Sequence, residues 1–227
     1  LGLRTEGATM EICLHFGTLL AILLVFRAKL GKIILSLFRG RILFIRGEGV
    51  KFTDQELRFL LLLALGSIPS GVIGLLFRGR IGMLFSSTLF VSFAIILTGT
   101  FLHLTKFRIS SGRQLQVLDC LVVGLAQAIA ILPGISRSGA TIGTGLLLGI
   151  DRKSTVEYSF LLGVPAILGA TELELREAWS CGGLGGSALP LCIGTVSAFA
   201  FGYLALRLLM GAVRRGKLSV FSYYCWA

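Results

Sequence analysis

Long apolar runs separated by short basic connections make up most of this chain. The runs from about Met10 to Phe26, Leu57 to Phe77, Met83 to Leu104 and Leu184 to Leu206 approach or reach the roughly 20 apolar residues a helix needs to cross a bilayer. Two more, Leu115 to Leu132 and Thr155 to Ala170, are slightly short but still read as membrane helices. Together they predict an all-α polytopic protein folded as a single membrane domain over residues 1–227. The stretch from Gly139 to Ile150 is different. As a helix it would be only about 18 Å long, too short for about 30 Å of hydrocarbon.

Charge gives these runs a direction. Most of the 22 Lys and Arg residues fall in four connections, 27–58, 106–113, 151–154 and 207–217, which the positive-inside rule places in the cytoplasm. The acidic region around Glu172, Glu174, Arg176 and Glu177 then falls outside. Arg78 and Arg80, read as a very short outer turn, run against the rule. Arg113 and Asp151 end up on the same side, so the chain between them must enter the membrane and come back. Leu115–Leu132 goes out, Pro133–Ser138 turns, and Gly139–Ile150 returns: a re-entrant hairpin. Irregular backbone at that depth must be buried in protein or line a wet cavity, so the loop is expected to open toward the outer face.

Composition supports lipid and excludes one alternative. The chain is 55% hydrophobic and 15% charged, with a mean hydropathy of +0.88. A soluble domain carries about a quarter charged residues. The net charge of +11 could suit nucleic acid, but the basic residues lie between apolar runs, where they set topology. Arg39, Arg41 and Arg46, interleaved with Ile42–Ile45, fit a segment lying on the anionic inner leaflet as well as they fit a plain loop. Cys13, Cys120, Cys181, Cys192 and Cys225 have no metal-ligand spacing and read as small hydrophobes.

The candidate chemistry sits at the tip of the hairpin, in Pro133-Gly134-Ile135-Ser136-Arg137-Ser138-Gly139-Ala140-Thr141. Proline ends the incoming helix, and Gly134 and Gly139 allow a tight turn and close approach to a ligand. A helix starting near Gly139 turns its unpaired N–H groups and positive end toward the loop. Ser136, Ser138 and Thr141 add hydroxyls, and Arg137 adds a planar fork of donors matched to phosphate. A plain structural role stays open beside this reading: Ser138 could simply cap the helix, and an arginine near a helix end can snorkel. Gln127, six residues before Pro133, could reach the loop or bond to a neighbouring helix. Asp119 and Glu157 are expected to be hydrated or paired with Arg113 or Lys153. His15 and His103 are expected to be satisfied within the fold or at the interface.

Gly124, Gln127, Pro133-Gly134, Ser136-Arg137-Ser138-Gly139 and Thr141 resemble the second signature of the undecaprenyl-diphosphatase family. Tyr158-Ser159-Phe160-Leu161-Leu162 with Pro165 and Gly169-Ala170 is similar to that family's next helix, and His15–Ala21 to the helix after its first signature. Glu56 to Pro69 and Tyr223-Tyr224 fit as well. The resemblance implies two inverted repeats, each with a re-entrant hairpin, around a site open to the periplasm of a bacterial inner membrane. It implies hydrolysis of a polyprenyl diphosphate lipid to the monophosphate carrier used in cell-wall synthesis, with bacitracin resistance as a linked trait. Arg137 would bind the diphosphate, Ser136, Ser138 and Thr141 would donate beside it, and a divalent cation, Mg²⁺ or Ca²⁺, would assist. A homo-oligomer is compatible with this reading, and nucleic acid is not a partner.

Two other readings compete with this one. A carrier for isoprenoid phosphates also uses inverted repeats and broken helices, and needs the cradle without the nucleophile. The membrane acid phosphatases would need a histidine after the Ser-Arg pair and a Pro-Ser-Gly-His block, and neither is present. The family's first signature has two glutamates four apart followed by Pro-x-Ser-Ser-x-Gly-His, whereas Glu6 and Glu11 are five apart with no such run after them. That signature is therefore expected upstream of Leu1. These 227 residues alone should then release little phosphate from the lipid diphosphate, while the longer protein turns over. A phosphate-release assay on both checks this, and full turnover by the shorter chain would mean that the catalytic groups were misplaced.

Overall fold

The computed structural model describes residues 2–45, 55–84, 87–107, 112–180 and 187–227. Arg46, Cys181 and Leu184, invoked above, lie outside the described residues. Among those described, the regular elements are all helical: α1 (Gly2–Val25), α2 (Arg27–Ile45), α3 (Gln55–Leu84), α4 (Thr88–Leu104), α5 (Val117–Ile129), α6 (Arg137–Leu147), α7 (Arg152–Ser180), α8 (Ala188–Arg214) and α9 (Val220–Trp226). A 3-10 turn, Thr105–Phe107, extends α4.

Four of these are long and apolar enough to cross a membrane: Gln55–Phe77, Thr88–Phe107, Arg152–Arg176 and Ala188–Arg214. Their apolar side chains are widely exposed, Leu76, Leu89, Phe93 and Phe201 among them. A soluble protein would have to cover such faces, whereas lipid covers them here. The chain is an all-α polytopic membrane protein.

Three expectations about element limits need correction. The run from Met10 to Phe26 is not a simple span, because α1 and α2 meet at 79° around Phe26 and the basic segment beyond it is helical. Arg78 and Arg80 lie within α3 rather than in a turn, since 78–84 contains no proline and is mostly good helix formers. The next helix accordingly starts at Thr88 and not at Met83, capped by Ser87, whose Oγ accepts from the Phe90 N–H at 3.4 Å.

The helices group into two compact units. One comprises Leu1–Leu30 with Gly163–Leu209, and the other Gly31–Leu162 with Met210–Ala227. Lipid tails are as apolar as leucine, so helices in a membrane associate through close packing of small residues and through hydrogen bonds. In the first unit α1 and α8 meet this way. A Cβ on Gly17 would come within 2.5 Å of the Thr195 carbonyl, and one on Gly194 within 2.5 Å of the Met10 methyl. Gly194, Ala198 and Gly202 recur every fourth residue on α8, and Gly202 lies over Ala21.

In the second unit α3 crosses α5 at Gly66 and Gly124. A Cβ on Gly124 would fall 2.2 Å from the Gly66 carbonyl oxygen. The Tyr158 hydroxyl of α7 donates to the Leu62 carbonyl at 2.9 Å beside this crossing and is fully buried there. Gly124→Val would force the two backbones apart, at a cost of about 2 kcal/mol. The expected outcome is a lower thermal unfolding midpoint in detergent; an unchanged midpoint would mean that the crossing tolerates a side chain.

Candidate active site

The hairpin between Arg113 and Asp151 is built from two arms that are each too short to span. α5 has 13 residues and α6 has 11, about 20 Å and 17 Å of helix. Their ends away from the turn are tied together. The Arg113 N–H donates to the Gly149 carbonyl at 3.3 Å, and the Asp151 N–H donates back to the Arg113 carbonyl at 3.0 Å. This isolated parallel bridge brings the entering and leaving chain to one level, as a re-entrant hairpin requires.

A bidentate ion pair holds that base. Arg113 reaches both Asp119 oxygens, at 2.6 and 2.7 Å, and its Nε donates to the Leu148 carbonyl at 3.1 Å. Asp119 also accepts from the Gln116 N–H at 2.9 Å, which closes the first turn of α5. Arg113 lies in the connection outside the spans, and its hydrogen bond to Asp119 pushes its already high pKa up further. Asp119 is therefore paired as expected. Glu157 likewise lies 3.9 Å from Lys153.

At the other end, α5 unwinds through 3-10-type bonds from Ile131 to Ala128 and from Leu132 to Ile129, and the Ile135 N–H donates to the Leu132 carbonyl. Gly134 has φ +88°, a left-handed conformation that side chains resist. A Cβ there would also lie 2.5 Å from the Val91 carbonyl oxygen of α4. The turn is thus both bent the way glycine allows and pressed against a backbone.

Ser136 is the N-cap of α6. Its backbone is extended and its Oγ accepts from the Gly139 N–H at 3.1 Å. Arg137 is the first helical residue, so α6 starts two residues earlier than Gly139, and the capping serine is Ser136 rather than Ser138. Among the described residues no protein group pairs with the Arg137 guanidinium, with the Ser138 hydroxyl, or with the backbone N–H groups of Arg137 and Ser138. Arg137 is exposed while Gly139, Thr141 and Ile142 behind it are buried. Four donors thus gather at the positive end of one short helix, an arrangement suited to phosphate oxygens.

The model of the Bacitracin resistance protein BacA family matches residues 1–227. The chain belongs to this family. Among its curated relatives, a protein of Halothermothrix orenii named undecaprenyl-diphosphatase is 40% identical over 230 residues, covering 100% of this chain and 82% of the relative. Proteins of the same name from Desulforapulum autotrophicum and Methanosphaera stadtmanae are 37% and 38% identical, each match covering 99% of this chain and 83% of the relative.

Within this BacA-family site, some of the residues singled out from the sequence stand behind the loop rather than at its open side. Thr141 is fully buried and its hydroxyl donates to the Arg137 carbonyl at 2.9 Å, so it braces the first turn of α6. Gln127 is 1% exposed, and its Nε2 donates to the Ser70 hydroxyl at 3.0 Å and faces the Leu162 carbonyl at 3.4 Å. Of the two roles considered for it, bonding to neighbouring helices is the one seen. His15 is bonded through Nδ1 to Glu174 at 3.1 Å. His103 sits among the rings of Phe107, Tyr223 and Trp226, with Ser222 at 3.4 Å.

The residue that sequence reading missed is Thr98 of α4. Its Oγ accepts from the Ser136 N–H and approaches the Gly134 carbonyl, both at 3.3 Å. No spacing sets Thr98 apart from Ser92 or Thr100 in the same run, where such side chains usually bond back to their own helix. Gly134→Ala combines a forbidden φ with a clash and is expected to lower phosphate release by at least about 100-fold while the protein still inserts in the membrane. Wild-type turnover by that variant would mean that the turn can be rebuilt without harm.

Proposed function

We propose that this BacA-family protein hydrolyses undecaprenyl diphosphate to undecaprenyl phosphate and phosphate, recycling the lipid carrier for cell-wall synthesis. Membership of the family and relatives named undecaprenyl-diphosphatase along the chain support this reading. The observation within the site that carries it is the unpaired Arg137 guanidinium beside Ser138 at the start of a helix that does not cross the membrane. Phosphoryl transfer depends on positioning and on stabilising charge at the equatorial oxygens, which a planar cation and backbone donors can do.

In this proposal Arg137 grips the terminal phosphate, Ser138 and the N–H groups of Arg137 and Ser138 hold its oxygens, and Ser136 and Thr141 keep the turn in shape. Gly134 and Gly139 let the turn seat closely against α4, which keeps these donors in place. The loop would open to the periplasmic side of the cytoplasmic membrane, a reading supported by the basic connections and by the tied base at Arg113 and Asp151.

A divalent cation, Mg²⁺ or Ca²⁺, is implied by the family resemblance, and the described residues do not fit one. No group of three His, Cys, Asp or Glu side chains is gathered among them, and the exposed Arg137 at the helix start would repel a cation.

Arg137→Lys tests the assignment. A point charge cannot reproduce the planar fork, so phosphate release from undecaprenyl diphosphate by the whole protein should fall by about 100-fold or more. Near-normal turnover would remove Arg137 from the site. Translocation of the lipid without phosphate release by the wild-type protein would point to a carrier instead.

A further inference from the structure

The cap of α6 lacks a part that helix starts of its type often possess. In a capping box the N-cap serine accepts from the N–H of the third helical residue, and a Glu or Gln at that third position reaches back to the N–H of the cap. Ser136 makes the first bond, to Gly139. The third helical residue is Gly139, which has no side chain to return the second. The Ser136 N–H would therefore be a half-buried donor without an acceptor, and such groups are costly to leave unpaired at membrane depth.

We propose that Thr98 supplies the missing half of this cap from another helix and thereby positions Arg137, the next residue along. Thr98 is 5% exposed. Its Oγ accepts the Ser136 N–H at 3.3 Å. Its single proton is shared between the Ala94 carbonyl of its own helix at 2.9 Å and the Gly134 carbonyl at 3.3 Å. One hydroxyl thus touches the loop on both sides of Ile135. It belongs to a face of α4, Val91, Ala94 and Thr98, against which the turn is seated, since a Cβ on Gly134 would fall 2.5 Å from the Val91 carbonyl oxygen and 2.8 Å from the Ala94 Cβ.

The chemistry explains why the acceptor comes from outside. A carboxylate at the third position would stand in the first turn of α6, among the donors that this reading assigns to the diphosphate, and would repel it. A side chain at 139 would also crowd Ser136, since a Cβ there falls 2.9 Å from its Oγ and 3.4 Å from Leu102. A neutral hydroxyl on α4 satisfies the cap without adding negative charge to the site. Thr98 is a positioning residue; it acts through Ser136 and Arg137 and is assigned no contact with substrate.

The inference rests on the proposed hydrolysis only for its kinetic readout. In the whole protein, Thr98→Val keeps the shape and removes the hydroxyl, whereas Thr98→Ser keeps the hydroxyl. Loss of one hydrogen bond should make amide exchange in the 133–139 segment about tenfold faster in Thr98→Val and leave it near wild type in Thr98→Ser. kcat for phosphate release should fall about tenfold in Thr98→Val with KM and the thermal midpoint little changed, and recover in Thr98→Ser. Should Thr98→Val fail to fold, Thr98→Ala replaces it with the same expected outcomes. Unchanged exchange in the variant lacking the hydroxyl, or equal damage in the serine variant, would overturn the proposal. A wild-type protein that releases no phosphate would overturn the hydrolase reading, and the exchange measurement would still decide the role of Thr98.

Discussion

Hydrocarbon offers no hydrogen-bond partner to a backbone that leaves its helix, so a broken segment at membrane depth must be satisfied from within the protein. The loop between α5 and α6 shows how this is done. The N–H groups of Ala130, Ile131, Leu132 and Ile135 find carbonyls three or four residues back. Pro133 has none to satisfy. Ser136 is met by Thr98, Gly139 by the Ser136 hydroxyl and Ala140 by the Ser136 carbonyl. The donors left over in the turn and the first residues of α6 are the N–H groups of Gly134, Arg137 and Ser138. The constraint that makes such a loop rare also selects which of its groups remain free for a ligand.

The same constraint makes α4 the platform of the site. Val91 and Ala94 receive Gly134, Leu102 approaches Gly139, and the Phe101 ring lies against Gly143. Each contact is close because a glycine faces it. Packing in lipid gains little from burying apolar area, so backbone proximity and shared hydrogen bonds must hold the returning arm. At the opposite end Arg113 holds both arms through Asp119 and the Leu148 carbonyl. The hairpin is thus fixed at its base by an ion pair and at its tip by a hydroxyl, with glycine contacts between them.

Much of this was legible in the amino-acid pattern because it follows from counting and charge. Apolar runs of near-spanning length gave the long helices. Arg113 and Asp151, forced to one side by the basic connections, gave the hairpin, and Pro133-Gly134 located its tip. The bend at Phe26 was not legible, since neither proline nor glycine marks it. The continuation of α3 through Arg78 and Arg80 was hidden because arginine serves equally as a helix former and as a topology signal. Within the site, residue type showed that Gln127 and Thr141 carry polar groups but not where those groups point. Thr98 is one of several hydroxyl residues in its run, with Ser92 and Thr100, so nothing singled it out before its helix was placed against the loop.

Electrostatics gives the arrangement its functional direction. A guanidinium at the first residue of a helix stands beside the positive end of the helix dipole, where a cation is disfavoured. A purely structural arginine would be better placed at a helix C-terminus or paired with a carboxylate. Here the acidic residue of the same hairpin, Asp119, is committed to Arg113 at the base. The third position of α6, where acidic side chains commonly serve a cap, is glycine. Among the described residues, positive charge and unpaired donors are therefore concentrated at one point with no carboxylate paired to them. That arrangement is unfavourable in isolation and favourable with a multiply charged anion in place, and the proposed grip on a lipid diphosphate rests on this difference.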